Sequence, residues 1–145
     1  MSNKLEDLKP AIKSKAAKAI DLMNHSPELK VLGVEKVAIS ETKRDLAVQM
    51  AYYSRSRMQP RDVKAMYKAA GLYDPTDKEC CTPNTWTLQS KHLEGLAIDI
   101  VPVKNGSMWW SAPIEVWQEM GRIGKEAGMA WGGDWKSKDC PHFEV

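Results

Sequence analysis

The chain has 145 residues, enough for one hydrophobic core and too few for a catalytic unit beside a separate binding module. Hydrophobic residues make up 43% and charged residues 28%, a balance that excludes disordered and collagen-like classes. With 21 basic residues against 19 acidic ones the formal net charge is +2, too small a surplus to mark a nucleic-acid binder, so no nucleic-acid partner is expected.

Leu5, Leu8, Ile12, Ala16, Ala19, Ile20 and Met23 recur at three- and four-residue intervals, which predicts an amphipathic helix over 5–23. Lys4, Lys9, Lys13, Lys15 and Lys18 fall in the same stretch and read as its solvated face. Val31 to Ile39 is rich in Val and Ile around Gly33 and predicts a strand running into Ser40 and Glu41. A second helix is expected from Asp45 to Arg57, with Asp45 as N-cap and Leu46, Met50 and Tyr53 on one face. Val63 to Ala70 reads as a short helix ended by Gly71, followed by a loop carrying Pro75, Cys80, Cys81 and Pro83. Gly95 to Val103 predicts a strand in which Gly95, Ala97 and Asp99 share one face and Leu96, Ile98 and Ile100 the other. A third long helix is expected from Ser111 and Pro113 through Ala127, with Gly128 as its C-cap.

No apolar stretch approaches the ~20 residues that span a bilayer, and the start MSNKLEDLKP carries no signal-peptide core, so a cytoplasmic product without membrane insertion is expected. Three cysteines, two of them adjacent, favour reduced thiols.

Chemistry concentrates near the carboxyl end. His92 precedes Asp99 by seven residues, and Asp139 precedes His142 by three. Two neutral imidazoles and one carboxylate suffice for a catalytic zinc site with a fourth position left open. Peptide hydrolysis then needs a carboxylate beside the metal to move the water proton, a role available to Asp139. On composition alone, two unrelated surface or core histidines remain an equal reading. In a regular strand residues 139 and 142 face opposite ways, so Cys140 stays open as an alternative ligand, unless Pro141 bends the chain between them.

The segment SKHLEGLAIDI, Ser90 to Ile100, resembles the S-x-H-x-x-G-x-A-x-D motif of the LAS-type zinc peptidases, which include phage L-alanyl-D-glutamate endopeptidases and bacterial D-alanyl-D-alanine carboxypeptidases. WGGDWKSKDCPHFE, from Trp131, resembles the second motif of the endopeptidase branch, with an Asp three residues before a His. Upstream, Glu41, Arg44, Gln49 and Tyr53 are similar to the family's E-x-x-R-x-x-x-x-Q-x-x-x-Y element. The resemblance implies zinc ligation by His92, Asp99 and His142, general base action by Asp139, and substrate contacts from Arg44, Ser90 and Gln49. Two departures bear on substrate choice: Lys43 before the arginine, and the insert from Met58 to Pro83. Trp109, Trp110, Trp131 and Trp135 bracket the second motif and are candidates for a groove wall or for core packing.

The expectation is therefore one α+β domain over 1–145, hedgehog/DD-peptidase-like, in which a small antiparallel sheet carries the zinc site and helices flank it. Its substrate would be the stem peptide of peptidoglycan, cut as a monomeric L-alanyl-D-glutamate endopeptidase of the endolysin type that reaches the wall after release. Two alternatives are a D-alanyl-D-alanine carboxypeptidase and a non-catalytic zinc-containing wall-binding module.

Overall fold

The computed structural model describes residues 1–85 and 87–145; Trp86, within the segment predicted as a loop, lies outside the described residues. Eleven regular elements run in chain order: α1 (Pro10–Asn24), α2 (Pro27–Val31), β1 (Lys36–Glu41), α3 (Leu46–Ser54), α4 (Pro60–Ala69), α5 (Asp77–Cys80), β2 (Ala97–Lys104), β3 (Ser107–Met108), α6 (Ile114–Glu126), β4 (Ala130–Trp131) and β5 (His142–Glu144). The strands form an antiparallel sheet of order β1-β2-β5-β4, with β3 paired to the far end of β2. This is the expected α+β architecture, a small antiparallel sheet flanked by helices.

Several boundaries differ from the predicted ones for local reasons. The first helix starts at Pro10, not Leu5, because proline with its fixed φ is pre-shaped for the first helical position, and Leu5–Asp7 forms a separate 3-10 turn. The predicted strand from Val31 loses its first residues to α2, which Ser26 caps by accepting the Leu29 N–H. Gly33, at φ 99, then turns the chain into β1. In α3 the packed face is Val48, Gln49, Ala51 and Ser54, while Leu46 and Met50 are exposed, so the predicted stripe is the solvent side. Asp45 occupies the N-cap position without a side-chain cap bond.

The main core lies between one face of the sheet and α1 and α6. Ile98, Ile100 and Phe143 project from the sheet onto Ile12, Ala16, Val116 and Met120 of these helices. Each such fully buried large side chain contributes about 1.5–3 kcal/mol. Gly121 and Gly124 bring α6 down onto the rings of Trp131 and Phe143, since a Cβ at Gly124 would stand 2.1 Å from the Phe143 ring. A second, smaller core of Ala51, Val63, Tyr67 and Cys80 joins α3, α4 and α5. The segment predicted as a loop is thus partly helical: Thr76 and Glu79 make a reciprocal capping box that starts α5, burying Cys80 and leaving Cys81 exposed.

Candidate functional site

The helix-free face of the sheet collects the polar residues. Strand register sets Glu41 of β1 opposite Asp99 of β2, and Asp99 opposite His142 of β5, so three chemistry-bearing side chains form a row across the sheet. An irregularity between Ile39 and Glu41 sets Glu41 into that row. His92 comes from the turn before β2. Its backbone carbonyl accepts from Arg44 N at 3.0 Å and its ring Nδ1 meets the Thr42 carbonyl at 2.6 Å, pinning the turn to the end of β1.

The two imidazoles and the carboxylate converge. His92 Nε2 lies 3.2 Å and His142 Nδ1 3.3 Å from the same oxygen, Asp99 Oδ1, and the three ligand atoms lie within 4.8 Å of one another. On the outer side of each ring stands an acceptor: the Thr42 carbonyl for His92 and Glu144 Oε1, at 2.8 Å, for His142. All of these oxygens can only accept, and the outer contacts, at 2.6 and 2.8 Å, are shorter than the inner ones, at 3.2 and 3.3 Å, so the single proton of a neutral ring belongs on the outer nitrogen and the inner one presents a lone pair. Three acceptors then share one buried space, an arrangement that calls for a cation. Burial disfavours charge on His142, but its hydrogen bond to Asp99 and the negative charges of Asp99 and Glu144 win and raise its pKa. Burial likewise opposes ionisation of Asp99, yet bonds to His142 and His92 hold its carboxyl well below the usual range. The donor set, two imidazoles and one carboxylate with outer partners in place, fits zinc.

Asp139 stands beside this group without joining it, with Oδ2 3.9 Å from His142 Nδ1 and half its side chain open to solvent. Burial and then the negative charge of Asp99 push its carboxyl up from the usual range. Cys140 and Pro141 form a turn before β5, closed by His142 N to Asp139 O at 3.2 Å, so 139 and 142 reach the same side. Gly132 permits the fit, because a Cβ there would meet the Asp139 carbonyl at 2.4 Å. The alternative ligand Cys140 is corrected: its side chain packs on the main core, and among the described residues the group able to share one ion is His92, Asp99 and His142.

These residues sit in a cleft of about 700 Å³, lined also by Tyr52 of α3, Tyr73, Thr85 and Thr87 and by Trp110, Trp135 and Lys138. Arg44 lines it but is already engaged, ion-paired with Glu41, bonded through Nη1 to Gln49 Oε1 at 2.6 Å and set 4.8 Å from the centre of the Tyr52 ring. Ser90 also lines the cleft, and its hydroxyl accepts the His92 N–H at 3.2 Å. Gln49, expected to touch substrate, is instead fully buried behind Arg44, with Nε2 bonded to the Thr87 carbonyl at 2.7 Å. Tyr53 carries Arg57 over its ring, 3.9 Å from Cζ to centroid. Of the four tryptophans, Trp110 and Trp135 line the cleft, Trp135 against His142, while Trp109 and Trp131 pack on the core. Sequence reasoning missed Tyr52 and Glu144. Tyr52 lines the cleft with its pKa pushed up to about 12, first by burial and then by Glu41, so its phenol stays protonated. Glu144 carried a readable signal: two residues beyond His142 in a strand, it shares that residue's face.

Residues 83–145 match a family model described as D-alanyl-D-alanine carboxypeptidase. Over 66 residues, 39% of this chain, the sequence is 41% identical to the peptidoglycan L-alanyl-D-glutamate endopeptidase CwlK of Bacillus subtilis, of which the match spans 40%. Two solved structures share the fold. The Serratia marcescens L-Ala D-Glu endopeptidase ChiX superposes with a TM-score of 0.61 at 22% identity, covering 97% of this chain and 82% of that one. A mutant of the vancomycin-resistance D,D-pentapeptidase VanY, in complex with Zn(II), gives 0.52 at 18%, covering 95% and 72%. The motif resemblance is thus matched by a family model, by a curated relative and by the fold.

Proposed function

We propose that this chain is a zinc-dependent peptidoglycan peptidase that hydrolyses the L-alanyl-D-glutamate bond of the stem peptide, with His92, Asp99 and His142 as metal ligands and Asp139 as general base. The observation that carries the reading is the convergence of two inner imidazole nitrogens on the Asp99 oxygen, each ring fixed from behind, at the floor of an open cleft. Zinc held by these three residues would supply Lewis acidity for water activation and carbonyl polarisation.

The chain's own groups do the rest. Asp139, 3.9 Å from His142 Nδ1 and half open to solvent, would take the proton of an attacking water and pass it to the leaving amine, and its raised pKa suits both transfers. The Arg44 guanidinium, locked by Glu41, Gln49 and Tyr52, presents a fixed positive charge at the cleft wall rather than a free fork. Its place there favours stabilising charge that develops on the carbonyl oxygen. Trp110 and Trp135 supply flat walls for an extended peptide.

A second reading, a D-alanyl-D-alanine carboxypeptidase, draws on the description of the matched family model. It requires a cation free to read a terminal carboxylate, and Arg44 already has a carboxylate partner in Glu41. The likeness to CwlK and ChiX supports the endopeptidase. Action at the wall after release from the cell that makes the protein completes the proposal.

A defined muropeptide incubated with the zinc-loaded protein tests it. Cleavage between L-alanine and D-glutamate is the expected result; release of D-alanine alone would establish the second reading, and an intact peptide would remove both.

A further inference from the structure

We infer that Glu144 is a positioning residue of the metal centre, fixing the tautomer and orientation of His142 so that its Nδ1 lone pair points at the Asp99 side. This rests on the reading of His92, Asp99 and His142 as a metal site.

The geometry follows from β5. Residues 142 and 144 point to the same face of the strand, and the Glu144 carboxylate reaches back along it to His142 Nε2 at 2.8 Å. Its neighbours across the ladder are Ala97 on β2 and Ala130 on β4. Neither methyl side chain can donate a hydrogen bond, so neither competes with the ring. Glu144 is not itself a ligand in this arrangement, because its Oε1 lies on the outer nitrogen while Asp99 Oδ1 lies on the inner one.

His142 and His92 are therefore held by unlike partners. The Thr42 carbonyl behind His92 is neutral and built into the backbone, whereas the partner behind His142 is a charged side chain that a single substitution can remove. Without Glu144, His142 is free to place its proton on Nδ1, where it would face the incoming cation.

The test compares wild type, Glu144→Ala and Glu144→Gln by calorimetric titration with zinc and by nitrogen-15 NMR of the histidine tautomers in the chelated proteins, read at alkaline pH where the rings are neutral. Thermal unfolding of the chelated forms verifies that each is folded. Glu144→Ala is expected to bind zinc 10–100-fold more weakly, the usual loss for an outer partner, and to show mixed His142 tautomers. Glu144→Gln, whose amide oxygen still accepts from Nε2, is expected to keep the Nε2–H tautomer and recover most of the affinity. Wild-type affinity in Glu144→Ala with the tautomer unchanged would overturn the inference, as would a Gln variant no better than Ala in both readouts. A wild type that fails to bind zinc would instead remove the underlying metal reading, while the tautomer measurement still decides whether Glu144 orients the ring.

Discussion

At the scale of single residues, two neighbouring carboxylates are held in unlike states. Asp99, flanked by two imidazoles, is kept ionised; Asp139, 3.9 Å from the same His142 nitrogen and half-exposed, has its carboxyl pushed up. Asp139→Ala is therefore expected to lose peptide hydrolysis by about 10²–10⁴-fold while keeping zinc affinity within a few-fold of wild type. A fully active variant would remove the general-base assignment. Gln49 makes the opposite point. Its removal in Gln49→Ala strands the Thr87 carbonyl and frees an Arg44 nitrogen, at a cost of about 1–3 kcal/mol, and the lowered melting temperature should appear even in chelated protein. That His92, Asp99 and His142 belong together was legible because His and Asp stand at short, motif-like spacings. Gln49 read as a substrate contact because spacing does not reveal burial. Tyr52 stayed hidden because nothing in its sequence neighbourhood marks it as the ring beneath Arg44.

At the scale of elements, the site is a product of strand register. Asp99 meets His142 because β2 and β5 run antiparallel with those residues paired, and the other face of the same strands, Ile98 and Phe143, packs under α6. The alternation in β2 was readable from its hydrophobic period. The pairing partners were not, because register between segments more than forty residues apart is decided by tertiary contacts. The 139–142 turn shows the same limit: strand periodicity predicts opposite faces, and only the Cys140–Pro141 turn with Gly132 beneath it puts both on one side. In α3 the pattern misled outright, since the buried stripe includes Gln49 and Ser54 and leaves Leu46 and Met50 outside. The coupling of core to site can be probed at Gly124, where an added methyl would meet the Phe143 ring. Gly124→Ala is expected to destabilise the protein by about 1–3 kcal/mol and to weaken zinc binding, since Phe143 lies between His142 and Glu144. An unchanged unfolding temperature would contradict this close packing.

At the scale of the whole molecule, the α3–α5 lobe with its own small core forms one wall of a cleft whose floor is the sheet. Composition gave no hint of this wall, because its helices are short and rest mainly on each other. Charge at the floor ties stability to pH in a way metal should reverse. In chelated protein the pKa of His142 is raised, so its stabilising contribution is full below about 6.5 and is lost as pH climbs through the raised value. Asp99, with its pKa lowered, contributes above about 3.9 and loses that contribution as pH falls through the lowered value. Zinc needs deprotonated rings, so its affinity should rise with pH. The melting-temperature gap between zinc-loaded and chelated protein is expected to widen from about pH 5.5 to about pH 8; a constant gap would argue that His142 does not ligate.

The central claim, a zinc-dependent cut within the stem peptide, is tested most directly by mass spectrometry of purified peptidoglycan digested with the zinc-loaded protein, beside chelated protein and Asp139→Ala. New L-alanine carboxyl and D-glutamate amino ends, present with zinc and absent from both controls, are the predicted result. Intact wall in all three digests, from protein shown to hold zinc, would contradict it.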